Sequence, residues 1–125
     1  MILDTNALSA WADGEIEVEK LLKPGDFAYF PIVVIGEFEF GLKQSRKKER
    51  YQEFLSKCIP KGIVANLTFE TAKHYSDIRL ELKSAGTPIP ANDIWIAAIA
   101  RQLDEPILTN DHHFGYVENI KVVNF

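Results

Sequence analysis

Short apolar runs alternate with helix-patterned segments along the whole chain, and that alternation limits the folds open to it. Ile2-Leu3, Phe27 to Phe30, Ile63 to Leu67, Pro106 to Thr109 and Val122-Val123 read as strands, each bounded by polar or turn-forming residues. Strands spaced by helices point to an α/β sandwich around a largely parallel sheet. The first run ends at Asp4-Thr5-Asn6, whose side chains can cap the next helix.

Between the strands, Ala7 to Ala12 and Glu15 to Leu22 look helical, and Lys23-Pro24-Gly25 stops the second. Ile32 to Lys43 opens on β-branched residues and reads either way. Helix is favoured after Val34, since Ile35, Phe38 and Leu42 then share a face. Lys47 to Cys58 is amphipathic, with Tyr51, Phe54, Leu55 and Cys58 turned inward. Thr68 caps a helix running to Ser84, with Ala72, Tyr75, Ile78, Arg79 and Leu82 near one side and Ala85-Gly86 at its end. Pro88-Ile89-Pro90 is extended. Asn92 or Asp93 starts an alanine-rich, closely packed helix that continues through Leu103.

With 125 residues and 14.2 kDa, the chain fits a single domain over residues 1–125. No disulfide can staple it, because Cys58 is the only cysteine. No leader pattern and no apolar run long enough to span a bilayer is visible, so a soluble, cytoplasmic protein is expected. The net charge of −4 argues against a protein that coats nucleic acid. Carboxylates gathered around divalent cations would remove that objection, because the ions reverse the sign where a phosphate must sit.

Four acids are placed for such a role. In an open α/β sheet, functional groups collect beyond the carboxyl ends of the strands. Asp4 ends the first strand, Asp111 follows the Ile107-Leu108-Thr109 strand, Asp93 opens the alanine-rich helix, and Glu37 lies early in the helix after Phe27 to Phe30. Taken singly, Asp4, Asp93 and Asp111 read more readily as helix N-caps than as catalytic residues. Glu37 has apolar neighbours in Ile35, Gly36, Phe38 and Phe40, so its carboxylate needs a cation or a hydrogen-bond donor. Glu39 faces another side and reads as solvated. Four like charges in one place would raise one another's pKa unless cations intervene, and hard oxygen donors suit Mg²⁺ or Mn²⁺. Such ions activate water for attack on phosphorus, so phosphodiester hydrolysis is the implied reaction class.

These residues resemble the PIN-domain nucleases and, within them, the toxins of VapBC toxin–antitoxin modules. Leu3-Asp4-Thr5-Asn6 is similar to the family's opening signature, and Gly36 to Gly41 to its Glu-x-x-x-Gly segment. Asp93 to Ala98 resembles its Asp-x-x-Ile-Ala-Ala helix start, and Thr109 to Phe114 its Thr-x-Asp-x-x-Phe motif. The resemblance covers nearly the whole chain. It implies a three-layer α/β/α sandwich in which Asp4, Glu37, Asp93 and Asp111 hold Mg²⁺ or Mn²⁺ and act as the catalytic set. Thr5, Asn6 and Thr109 would support them. It also implies endonucleolytic cleavage of RNA such as transfer or ribosomal RNA, leaving a 5′-phosphate and a 3′-hydroxyl. A homodimer held in check by a small VapB-like antitoxin is implied as well. Two departures stand out. The first strand has almost no lead-in and is expected to fray, and Pro31-Ile32-Val33 lacks the Ser or Thr often found before the glutamate helix.

Other features carry weaker signals. His112 and His113 read as surface or substrate-facing residues, because adjacent turn residues rarely point at one ion and hard cations prefer oxygen. Arg46 to Arg50 reads as the solvated start of a helix. Arg79 and Lys83 can bind an anion or pair with Glu81 and Asp77. Trp11 and Trp95 read as core or interface residues. Two other functions compete. One is a catalytically inactive module of the same fold that binds RNA or protein, though such a module has no need of four acids. The other is a phosphoacceptor signalling domain, which the chain argues against by lacking an acidic pair at its first strand and a late Lys-Pro.

Overall fold

Every apolar run becomes a strand of two or three residues, with β2 shifted one position to take in Pro31. The computed structural model describes residues 1–125. Its strands are β1 (Ile2–Leu3), β2 (Tyr29–Pro31), β3 (Ile63–Ala65), β4 (Ile107–Leu108) and β5 (Val122–Val123). They form one sheet in the order β3-β2-β1-β4-β5, with every neighbouring pair parallel. The helices are α1 (Thr5–Ala12), α2 (Val18–Leu21), α3 (Ile32–Lys43), α4 (Lys48–Cys58), α5 (Phe69–Ala85) and α6 (Ala91–Leu103), with short 3₁₀ turns at Ile59–Lys61 and His112–Tyr116. Helices cover the sheet as a three-layer α/β/α sandwich. No helix is long and apolar enough to cross a membrane.

The strand order decides where a site can form. The chain lays β2 and β3 on one side of β1, then crosses over to lay β4 and β5 on the other. The order therefore reverses between β1 and β4, and the crevice beyond their carboxyl ends is left uncovered by crossover connections. Asp4 and Thr109 are the first residues past those two ends.

The central place of β1 overturns the expectation that it frays. Ile2 and Leu3 are fully buried. The Ile2 amide donates to the Pro106 carbonyl at 2.8 Å, the Asp4 amide to Leu108 at 3.1 Å, and the Met1 carbonyl accepts from Tyr29 at 2.8 Å. Sheet neighbours on both sides supply the stability that length does not.

Helix boundaries moved where burial outweighed propensity. α3 starts at Ile32, directly after Pro31 ends β2, and not after Val34. Its inward face is Val34, Phe38 and Leu42, at a spacing of four, while Ile35 is only half-buried. The β-branched start is tolerated because Val34 is already core. α2 keeps only Val18 to Leu21 of the expected Glu15 to Leu22 segment; Val18 is its single buried anchor, and Glu17 is extended. In α5 the buried residues are Thr71, Ile78 and Leu82, with Tyr75 half-buried, whereas Ala72 and Arg79 face solvent. Thr68 and Thr71 form a reciprocal capping pair, and the Thr71 hydroxyl also donates to Gln102 Oε1 at 2.6 Å, which explains a buried threonine. Gly86 closes the helix in the left-handed region at φ 72°.

The core is continuous from β1 and β4 into α6, where Ile94, Ile96, Ala97, Ala98, Ile99 and Ala100 are all buried. Alanines let neighbouring elements approach α6 closely. Tyr75 of α5 stacks on Trp95 with ring centroids 4.0 Å apart. Trp11 belongs to an aromatic cluster, 5.4 Å from Phe54 and 6.5 Å from Phe30, and Phe38 joins through Phe54. Gly62 marks a close approach ahead of β3: a Cβ there would strike the Ala28 carbonyl oxygen and come within 2.5 Å of the Phe30 ring.

Candidate metal centre

The four acids singled out from the sequence line one groove of about 480 Å³, together with Thr5, Asn6, Ser9, Asp13 and Asn110. Each arrives from a different element. Asp4 comes from the end of β1, Glu37 from α3, Asp93 from the first turn of α6, and Asp111 from the turn after β4. The crevice at the strand-order reversal is where they meet.

Asp4 is the most enclosed, at 4% exposure. Its Oδ1 accepts from the Thr5 amide at 2.7 Å, capping α1, and its Oδ2 accepts from Thr109 Oγ1 at 2.7 Å and Asn6 Nδ2 at 2.9 Å. Capping and site placement are thus two consequences of one position. Burial pushes its carboxyl above the ordinary range; the Thr109 and Thr5 hydrogen bonds pull it back, and the Asp111 and Glu37 charges push it further up.

Thr109 joins two of the acids. Its hydroxyl donates to Asp4 and accepts from the Asp111 amide at 2.9 Å. Asn6 spans the same gap, with Nδ2 on Asp4 and Oδ1 accepting from the Asn110 amide at 3.1 Å. The Thr5 hydroxyl donates to Glu37 Oε2 at 2.7 Å.

Glu37 has neutral partners, Thr5 and the Asn92 amide group, which donates to Oε1. The apolar neighbours that made it conspicuous in sequence do not enclose it, since Gly36 and Phe40 are exposed. Asn92, which the sequence marks only as a helix start, is a contact of the acid set. The available signal was its position beside Asp93 in the first turn of α6.

His113 is the larger omission. Its Nδ1 lies 3.0 Å from Asp93 Oδ2 and 3.2 Å from Asp111 Oδ1. These three residues each offer a ligand atom within 4.8 Å of the other two, a grouping that Asp4 and Glu37 line but do not join. Burial pushes the Asp93 carboxyl up and the His113 hydrogen bond lowers it, while Asp4 and Asp111 add to the rise. His112, by contrast, is 80% exposed at the side chain. The two imidazole rings lie 4.7 Å apart, but only His113 turns its Nδ1 between Asp93 and Asp111, while His112 Nδ1 stays 3.8 Å from Asp111 on the solvent side.

This donor set fits a hard divalent cation. It is rich in carboxylate oxygens, each with lone pairs left over after its hydrogen bonds. Raised carboxyl groups crowded by like charge are what a cation would relieve.

Of the basic residues, Arg50 stands beside Asp13 at the wall of the groove, and Arg79 lies away from it on α5. Arg50 donates to the Ala12 carbonyl at 3.1 Å and sits 3.8 Å from Asp13, which accepts from the Tyr51 hydroxyl at 2.6 Å. Arg79 donates to the Tyr75 hydroxyl, and Glu81 pairs with Arg101 at 3.0 Å, so of the alternatives for Arg79 a pair with Glu81 is not formed.

A pH dependence follows from the sign of the two raised carboxyls. The folded state holds these protons more tightly than the unfolded chain, so their contribution to stability is fully present below 3.8 and is lost as pH rises through the raised folded values. In chelator, this pair therefore penalises the fold at neutral pH. Added Mn²⁺ is expected to raise the melting temperature much more at pH 7.5 than at pH 5, where protons compete for the same oxygens. Paired thermal melts with and without Mn²⁺ check this; an equal gain at both pH values would contradict it.

A family model described as PIN domain matches residues 1–120. Ribonuclease VapC2 of Rickettsia felis is 26% identical over 129 residues, covering 99% of this chain and 96% of that protein. Ribonuclease VapC5 of Mycobacterium tuberculosis is 24% identical over 119 residues, covering 94% and 87%. Among solved structures, VapBC2 from Rickettsia felis, bound to a DNA fragment from its promoter, matches with a TM-score of 0.89 at 23% identity, covering 99% of this chain and 97% of that one. VapBC from Salmonella typhimurium matches at 0.86 and 23%, covering 98% and 96%.

Proposed function

The chain belongs to the PIN-domain family, and from that membership we propose that it is a metal-dependent endoribonuclease, the toxin of a toxin–antitoxin pair. The observation that carries this is the convergence of Asp4, Glu37, Asp93 and Asp111 on one groove at the point where the strand order reverses. Support for RNA as substrate comes from the relatives named ribonucleases. Support for an antitoxin comes from structural neighbours described as a member of the VapBC family of toxin–antitoxin systems and as a toxin–antitoxin complex.

Asp4, Glu37, Asp93 and Asp111 would hold Mg²⁺ or Mn²⁺, and a cation bound there would supply positive charge for activating water and for neutralising the oxygens of the scissile phosphate. The protein's own residues fix geometry. Thr109 and Asn6 clamp Asp4, Thr5 and Asn92 fix Glu37, and the buried β1 and β4 anchor the two ends from which Asp4 and Asp111 project. Residues 1–125 act as a single nuclease domain. It forms a homodimer in the cytoplasm, takes a structured RNA such as transfer or ribosomal RNA, and is inhibited by a small VapB-like antitoxin.

The test is direct. Incubation with structured RNA in Mn²⁺ or Mg²⁺ is expected to give fragments with 5′-phosphate and 3′-hydroxyl ends, and EDTA to slow the reaction by roughly 10³-fold. Cleavage indifferent to EDTA, or none with either ion, would sink the reading.

A further inference from the structure

The turn after β4 does more than present Asp111. The Asp111 carboxylate accepts from the His113 backbone amide at 2.9 Å, so the chain folds back over two residues. Phe114, fully buried, pins the next position. Between these two restraints the His113 ring turns inward, half-buried, while His112 swings out to solvent. The result places Nδ1 close to one oxygen from Asp93 and one from Asp111, at 3.0 and 3.2 Å.

Those separations match a coordination edge. Neighbouring ligands of an octahedral ion bound at about 2.1 Å lie roughly 3.0 Å apart. Nδ1 carries at most one proton, so it can donate to only one of the two carboxylates it faces, while the Asp111 oxygen also takes the His113 amide. A cation in contact with Nδ1 and both oxygens satisfies all three.

We propose that His113 Nδ1 is a direct nitrogen ligand of the divalent cation held by Asp93 and Asp111, and that it biases this centre toward Mn²⁺ over Mg²⁺. The inference rests on the metal-dependent reading above and adds to it a ligand and a selectivity. Mg²⁺ strongly favours oxygen donors and near-ideal octahedra, whereas imidazole suits first-row transition ions. A mixed oxygen and nitrogen set therefore costs Mg²⁺ more.

The experiment is pulsed electron paramagnetic resonance on the full chain loaded with Mn²⁺. Modulation from a directly bound ¹⁴N is expected in the wild type and lost in His113→Gln. Competition titration is expected to give Mn²⁺ a preference of at least about tenfold over Mg²⁺. The variant should lose roughly tenfold in Mn²⁺ affinity, with Mg²⁺ changed by only about two- to threefold. Mn²⁺ bound without nitrogen modulation in the wild type overturns the His113 assignment and leaves the nuclease reading standing. Equal losses for both ions overturn the selectivity. A wild-type chain that binds no divalent ion overturns both this proposal and the metal-dependent reading; the wild-type measurements do not depend on the variant folding.

Discussion

Replacing Asp93 by asparagine is expected to cut RNA cleavage by about 10²–10³-fold in kcat/KM while making the metal-free protein slightly more stable. The two effects have one cause. Asp93 sits in the first turn of α6 with its oxygen against His113 and within reach of the Asp4 and Asp111 charges. A negative charge in the first turn of a helix is worth about 0.3–1 kcal/mol through the dipole. Burial and two neighbouring carboxylates oppose it and hold its carboxyl above the ordinary range, so removing the charge is expected to relieve more than it costs.

Asparagine keeps the shape and a hydrogen bond to the imidazole, and removes only the charge. In EDTA at neutral pH the variant should melt a few degrees higher, on the scale of roughly 1 kcal/mol. With Mn²⁺ the order reverses, because the wild type gains binding energy that the variant forfeits. Thermal melts in EDTA and in Mn²⁺, read beside an RNA cleavage assay, give all three quantities. A variant that cleaves normally removes Asp93 from the catalytic set. A variant destabilised in EDTA shows that the favourable place of the charge in the first turn of α6 outweighs the crowding.

How far these features could be read in advance depended on how local their causes are. The five strands were legible because each is a short apolar run between turn signals, and their parallel pairing followed from the helices between them. Strand β1 was misjudged because its stability comes from β2 and β4, which are distant in sequence. On α5 the inward face holds at Tyr75, Ile78 and Leu82, but its first position is Thr71 and not Ala72, because Thr71 is buried through Gln102 of α6, a tertiary contact without local trace. The placement of the four acids was legible because strand ends and helix starts are local features. Asn92 and His113 escaped because their roles are set by Glu37 and Asp93, which lie 55 and 20 positions away. The spacing from Asp111 to His113 was the one local clue, and it becomes informative only with the backbone turn.

The largest expected loss of stability from a single near-isosteric change is at Thr109→Val. Thr109 is fully buried, and its hydroxyl donates to Asp4 Oδ2 at 2.7 Å while accepting from the Asp111 amide at 2.9 Å and Asn6 Nδ2 at 3.2 Å. Valine fills nearly the same volume, so cavity terms are small and the cost is almost wholly polar. A hydrogen bond to a charged group contributes about 1.5–3 kcal/mol, and a buried donor left without a partner costs about 1–3 kcal/mol more. Some of the second cost falls away if Asn6 or water takes up the Asp111 amide, so a destabilisation of about 2–4 kcal/mol is expected. Cleavage should drop about 10–100-fold, because Asp4 and Asp111 lose the atom that holds them in register. Thr109→Ser is the control: it keeps the hydroxyl, loses a methyl, and should restore most of the activity and the slope of rate against Mn²⁺ concentration. Denaturant unfolding and Mn²⁺ titration of both variants separate the outcomes. If valine and serine are equally impaired, Thr109 matters through its methyl packing. If valine is near wild type, Asp4 is held by Thr5 and Asn6 alone, and the link between the ends of β1 and β4 is not what positions the acids.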